Sequence, residues 1–212
     1  MRYSLESLSC TSWVVYATKS DSDAASRTRT LIVEVKKDRR ESTTGRPFAA
    51  LIIGRALERL GDLAREAFAG SPLLVPIPGS GLTKANTVWS SRRVCQELVA
   101  VGLGDSVAEV VQRVVAVPKS AWTDQRPSFE THYRSLAVAP TFRPPSRLLV
   151  VDDVVTSGTT MMACAQKLAD AFPGVPIAGF ALSRTLSQGE PSAILDPRTE
   201  LIRHRDERCA RG

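Results

Sequence analysis

Residues Arg147–Met161 read RLLVVDDVVTSGTTM, and this run restricts the fold more than any other stretch of the chain. Leu148–Val151 is apolar and partly β-branched, short enough to be a strand buried on both faces. Two carboxylates, Asp152 and Asp153, follow where such a strand would leave the core. Thr156-Ser157-Gly158-Thr159-Thr160 is a small, hydroxyl-rich turn. Beyond it Met161, Cys164, Leu168 and Phe172 share one helical stripe, and Pro173-Gly174 supplies a stop. The order is therefore strand, acidic pair, hydroxyl turn, helix. A helix N-terminus offers free N–H groups and a partial positive charge, so this turn suits a phosphate, with the hydroxyls as further donors. Carboxylates beside it would repel a phosphate and should serve neutral hydroxyls instead. A sugar phosphate meets both demands, with its phosphate on the turn and its diol on Asp152 and Asp153. The plain structural alternative is a buried strand ending in a solvated acidic turn with an ordinary N-cap.

Other phosphate signatures fit less well. The chain has no G-x-x-x-x-G-K-[ST] run and no G-x-G-x-x-G after a strand, and a D-x-D phosphatase would need an acid at Val154. With 212 residues the chain can bury a proper core without staples. No apolar run approaches a membrane span, and MRYSLESLSC lacks the apolar region of a secretory leader. Cys10, Cys95, Cys164 and Cys209 stand singly, which argues against a zinc ribbon and suits a reducing cytoplasm. Net charge is +6. From Arg113 to Arg147 six basic residues (Arg113, Lys119, Arg126, Arg134, Arg143, Arg147) face two acids, Asp124 and Glu130. Such an excess suits a polyphosphate or nucleic acid, and equally a solvated basic face.

Along the chain, Ser12–Ala17 predicts a strand, and Leu31–Val35 is open between strand and helix. Pro47–Ala69 predicts a helix with Phe48, Leu51, Ile52, Ala56, Leu60, Leu63 and Ala67 on one face. Leu73–Ile77 predicts a strand that Pro76 confines to an edge or an end, with a helix from about 86 to 100. A β-branched run spans 107–117, and 119–146 reads as a long irregular excursion. Strands at 147–151 and 176–182 follow. The expected units are an appendage over 1–45, a core over 46–186 and a polar, arginine-rich tail over 187–212. Alternating strands and helices predict an α/β fold with a mostly parallel sheet, ligands binding beyond the carboxyl ends of its strands.

The segment around Asp152, Asp153 and Thr156–Thr160 resembles the PRPP-binding motif of type I phosphoribosyltransferases. Leu73–Ala100, Val117–Ala121 and Arg126–Val138 are similar to the ComF-type branch of that family, so the likeness covers roughly 30–185. Two departures stand out. The cysteine cluster that often begins ComF-type proteins is missing, and Lys84-Ala85-Asn86 stands where Arg-Gly-Phe-Asn is usual. The resemblance implies a type I phosphoribosyltransferase fold and transfer of a phosphoribosyl group between PRPP and a nitrogenous acceptor, with pyrophosphate released. It implies that Asp152 and Asp153 hold the ribose hydroxyls and that Val155, Thr156, Ser157, Gly158, Thr159 and Thr160 wrap the 5′-phosphate. Pro78, Gly79, Ser80, Gly81 and Lys84 would take pyrophosphate. The glycines would admit close approach of backbone N–H groups, although a plain strand-to-helix turn has the same composition. Mg²⁺ is expected with PRPP, held directly or through its shell by Asp152 and Asp153. Asp153 is the candidate acid–base group.

Lys119, Arg126 and Arg134 are candidates for cations on the leaving group, or else surface charges. His132 reads as structural or exposed, while Trp89, Trp122 and Phe129 read as core or loop anchors rather than base-stacking groups. Expected partners are PRPP and its acceptor, with nucleic acid contact and a homodimer as further options and no membrane. The competing function is a non-catalytic PRPP- or nucleotide-binding or DNA-handling protein.

Overall fold

The computed structural model describes residues 3–17, 22–84, 87–118, 127–139, 145–186 and 193–212. Its elements run β1 (Ser7–Ala17), α1 (Asp23–Lys36), α2 (Phe48–Leu60), α3 (Asp62–Arg65), β2 (Leu73–Pro76) and α4 (Ser90–Ala100). They continue as β3 (Val111–Arg113), α5 (Phe129–Arg134), β4 (Leu136–Val138), β5 (Leu148–Val155), α6 (Thr159–Ala171), β6 (Ile177–Leu186), β7 (Leu195–Arg205) and β8 (Arg208–Arg211). The main sheet has six strands in the order β2-β5-β6-β1-β7-β8. Its first four strands are parallel, and β7 and β8 add antiparallel. β3 and β4 pair antiparallel beside it. The architecture is α/β, with helices on both faces of a mostly parallel sheet. No helix among the described residues is long and apolar enough to cross a membrane.

β5 shows why the fold forms. Leu148, Leu149, Val150 and Val151 are all fully buried. Leu148 and Val150 pack with Met161, Cys164 and Leu168 of α6, and with Phe129 and Tyr133 of α5. Leu149 and Val151 turn the other way, toward Ile32 and Val35 of α1, Ile53 and Ala56 of α2, and Val94 and Leu98 of α4. A strand whose alternate residues are both apolar needs cover on both sides, and these helices provide it. Trp13, Phe68 and Phe180 form an aromatic knot in the second layer, with ring centroids 4.7–5.8 Å apart. Met161, Cys164 and Leu168 of the stripe expected on α6 are buried together with Met162, Ala163 and Ala165, while Phe172 falls just past the helix end and is half-buried.

The structure settles or changes several expectations about the elements. The stretch expected as an N-terminal appendage supplies β1, an interior strand between β6 and β7. Leu31–Val35 is helical, as part of α1, which starts at an N-cap where Ser22 Oγ accepts from the Ala25 amide. The helix expected over 47–69 breaks at Gly61, whose φ of +55° ends α2. Its buried face is Ala49, Ile52, Ile53 and Ala56, while Leu63, beyond the break, is exposed. The helix expected from 86 starts at Ser90. The excursion over 119–146 contains α5 and β4, and the polar tail contains β7 and β8.

Gly158 fixes the turn that joins β5 to α6. It has φ of +85°, and a Cβ there would lie 2.6 Å from Ile202 of β7. Gly158→Ala is expected to cost about 1–3 kcal/mol from the left-handed backbone and the collision together. In urea unfolding, adding Ile202→Ala should not restore the turn, because the backbone strain persists. A Gly158→Ala protein as stable as the parent would contradict this account.

Candidate functional site

The parallel strands β2 and β5 end side by side. Pro76 pairs with Val151, and the Ile77 amide donates to the Val151 carbonyl at 2.9 Å. The loop after β2 and the acids near the end of β5 therefore share one rim, although 74 positions separate Pro78 from Asp152. A cleft of about 560 Å³ opens there, lined by Pro78, Gly79 and Ser80, by Trp89, Ser90 and Ser91 of the α4 start, and by Asp152, Asp153, Thr156 and Thr160. A smaller cradle of about 60 Å³, formed by Val155–Thr160, adjoins it, with Asp152 and His132 lining both. Neither α4 nor α6 has a side-chain N-cap. Two helix N-termini without a side-chain cap thus face one cavity system, each favouring an anion.

Between them stands the acidic pair. Asp153 accepts from the Val154 amide at 2.7 Å and from Ser90 Oγ at 2.8 Å. Asp152 accepts from the Asp153 amide at 2.9 Å. Burial pushes the Asp152 carboxyl well above the ordinary carboxylate range, and the Asp153 carboxylate beside it pushes the same way. The Lys36 ammonium, at the end of α1, lines the cleft and offsets this only weakly. The pair is therefore poised for something that relieves its repulsion: sugar hydroxyls that donate, or a divalent cation.

The loop over 78–83 is held from beneath by Arg113. This residue is 2% exposed, and its guanidinium donates to the Gly79 carbonyl and to Ser135 Oγ. Its own amide donates to Thr83 Oγ1 at 2.9 Å, while the Val117 amide donates to the Ser80 carbonyl at 2.8 Å. Trp89 Nε1 and Ser91 Oγ both donate to the Ile77 carbonyl, at 2.7 and 2.5 Å, tying the α4 start to the same rim. His132 lies 7% exposed on the far wall. Burial, with the nearby Arg113 charge adding to it, pushes its imidazole down to about 4, so the ring is neutral at physiological pH.

The structure brings most of the expected site together. Asp152, Asp153, Val155, Thr156, Ser157, Gly158, Thr159 and Thr160 all line the cradle or the cleft, as do Pro78, Gly79 and Ser80. Gly81 and Lys84 are exposed and do not line it. The glycines of this loop have ordinary backbone angles, and a Cβ on Gly79 or Gly81 would meet nothing within 4 Å. Close approach rather than backbone strain is what glycine offers there. Arg134 does not reach the cleft: its side chain is 77% exposed and pairs with Glu130 one helical turn away. Lys119, Arg126 and Trp122 lie outside the described residues. Phe129 packs among Tyr3, Tyr133 and His204 and not in the cleft. His132 is buried and forms part of the site, and Trp89 both anchors the rim and lines the cleft. Sequence reasoning missed Lys36, Arg113 and Arg208 as site residues. An isolated arginine within a β-branched run was the one available signal, for Arg113.

Asp152 makes the site costly to fold. The native state keeps a proton on the pair that an unfolded aspartate releases near pH 3.9, so stability falls as pH rises from about 4 toward the raised native value. Asp152→Asn is expected to raise stability at pH 7 and to flatten the pH dependence above pH 4, read by denaturant unfolding across pH. A destabilised Asn variant would contradict the electrostatic assignment. Neither a scan against protein-family models nor a search among curated proteins finds a match for the chain.

Proposed function

We propose that the chain is a phosphoribosyltransferase of type I fold, binding PRPP with Mg²⁺ and exchanging pyrophosphate for a nitrogenous acceptor at C1 of the ribose. The observation that carries this reading is the pair of uncapped helix N-termini opening on one cavity system with two adjacent carboxylates between them. Two anion sites flanking a diol-binding pair match a sugar that carries a phosphate at one end and a pyrophosphate at the other.

The amides and hydroxyls of 156–160 would hold the 5′-phosphate, and Asp152 and Asp153 would accept from the ribose 2′- and 3′-hydroxyls. The Pro78–Ser80 rim and the α4 amides would receive the pyrophosphate, with the buried Arg113 charge beneath the rim. As the C1–O bond breaks, positive charge grows on the sugar and negative charge on the leaving group. The rim's fixed dipoles stabilise the second, and the carboxylates the first. The nitrogen of the acceptor bonds to C1 and its proton departs. Asp153, which lines the cleft, would take it.

Among the described residues no group of three or more His, Cys, Asp or Glu could hold a metal. Two adjacent carboxylates, one of them pushed above the ordinary carboxylate range by burial and by its neighbour's charge, are nevertheless a fitting partial ligand set for Mg²⁺ that arrives with its substrate. The ion would supply charge neutralisation to the pyrophosphate oxygens. Four free, buried thiols suit a reducing, cytoplasmic setting.

Calorimetric titration with PRPP in the presence of Mg²⁺ should give saturable binding, and pyrophosphate release should appear with one of a panel of nitrogenous bases. Asp153→Asn is expected to lower turnover by about 100-fold or more. A flat titration, with no pyrophosphate formed from any base, would overturn the proposal.

A further inference from the structure

The cradle at the start of α6 is closed on its outer side by residues from outside the strand–turn–helix segment. Arg208, the first residue of β8, is exposed and lines the cradle. The hairpin that carries it is fixed at several points around the turn. The Cys209 amide donates to Thr159 Oγ1 at 3.2 Å, and the Phe129 amide donates to the Glu207 carbonyl at 2.7 Å. Ile202 packs over Gly158 closely enough that a methyl group there would collide. Arg211 donates to the Thr185 carbonyl at 2.6 Å, tying β8 to the end of β6.

A second observation points to a ligand in this cradle. His132 of α5 forms part of its wall and is 7% exposed, yet its buried Nδ1 has no hydrogen-bond partner. Its Nε2 lies 3.4 Å from Thr160 Oγ1. A buried polar atom left without a partner is costly, and such orphans in native proteins are uncommon. Charge points the same way. Asp152 also lines the cradle, so the helix dipole alone is a weak answer to a phosphate dianion. Among the described residues lining the cradle, Arg208 is the one with a permanent positive charge.

We infer that Arg208 is a phosphate-binding residue, so that a sugar phosphomonoester is gripped between the Thr156–Thr160 turn and the C-terminal hairpin, with His132 completing the wall. This deepens the phosphoribosyl reading and rests on it. The planar guanidinium fork suits phosphate oxygens, and the hairpin contacts hold it against the turn. The β7–β8 hairpin thereby becomes part of the binding site as well as an edge of the sheet.

The test uses ribose 5-phosphate as probe, with pyrophosphate as a second probe for the other end of the cleft. The full chain is titrated by calorimetry as parent, Arg208→Gln, Arg208→Lys and Arg203→Gln, the last removing the same charge from an exposed position on the same hairpin. Arg208→Gln is expected to weaken ribose 5-phosphate by about ten- to hundredfold, the range for a charge-assisted hydrogen bond, while pyrophosphate affinity holds. Arg208→Lys should recover part of the loss, and Arg203→Gln should match the parent. Parent-like binding of ribose 5-phosphate by Arg208→Gln, or an equal loss in Arg203→Gln, would overturn the role of Arg208 and leave the phosphoribosyl reading standing. A parent protein that binds neither ribose 5-phosphate nor PRPP would overturn both.

Discussion

Two carboxylates adjoin in sequence near the end of the most deeply buried strand of this protein, and the rest of the site is an answer to that arrangement. The sheet and its helices remove water from Asp152, and Asp153 adds like charge beside it. Such a pair is stable only if donors reach it, if one member keeps a proton, or if a ligand relieves it. The fold supplies a few donors, two backbone amides and Ser90 Oγ. It leaves the remaining demand open toward the cleft. A group held at this cost is better explained by binding than by folding, since an amide in its place would be cheaper to bury.

The proposed anion sites follow from the same topology. Parallel pairing of β2 with β5 brings their exits together and sets the α4 and α6 starts on either side of the acids. Each flank is then braced by residues distant in sequence. Arg113 holds the rim through the Gly79 carbonyl, and the C-terminal hairpin holds the α6 turn through Ile202 and the Cys209 amide. The contacts of Arg113, Ile202 and the Cys209 amide hold the rim and the turn in place, the arrangement that electrostatic preorganisation requires.

How much of this was legible depends on sequence distance. β5, the acids, the turn and α6 lie within one continuous run, and local pattern alone located them, although β5 continues through both acids to Val155 instead of ending at Val151. Arg113, His132, Lys36 and Arg208 reach the site only because β2 lies beside β5 and because β7 and β8 fold back against α6. No periodicity carries that information. β1 could be read as a strand but not placed, since alternation says nothing about neighbours. β7 and β8 were hidden for a different reason: near the open edge of the sheet most of their side chains meet solvent, so their composition resembles a polar tail. Arg134 illustrates the limit of charge counting. A basic residue in a basic stretch looks like a phosphate ligand until its partner one turn away, Glu130, is known. Lys84 fails likewise, because a lysine just beyond a loop can project from it instead of into it.

The most direct test of the central claim is a crystal structure of the protein soaked with PRPP and Mg²⁺. The account requires the 5′-phosphate within hydrogen-bond reach of the amides at the start of α6, the ribose hydroxyls on Asp152 and Asp153, and the pyrophosphate beside Pro78–Ser80. Density for the ligand elsewhere on the surface, or a sugar phosphate seated without contact to either aspartate, would contradict it.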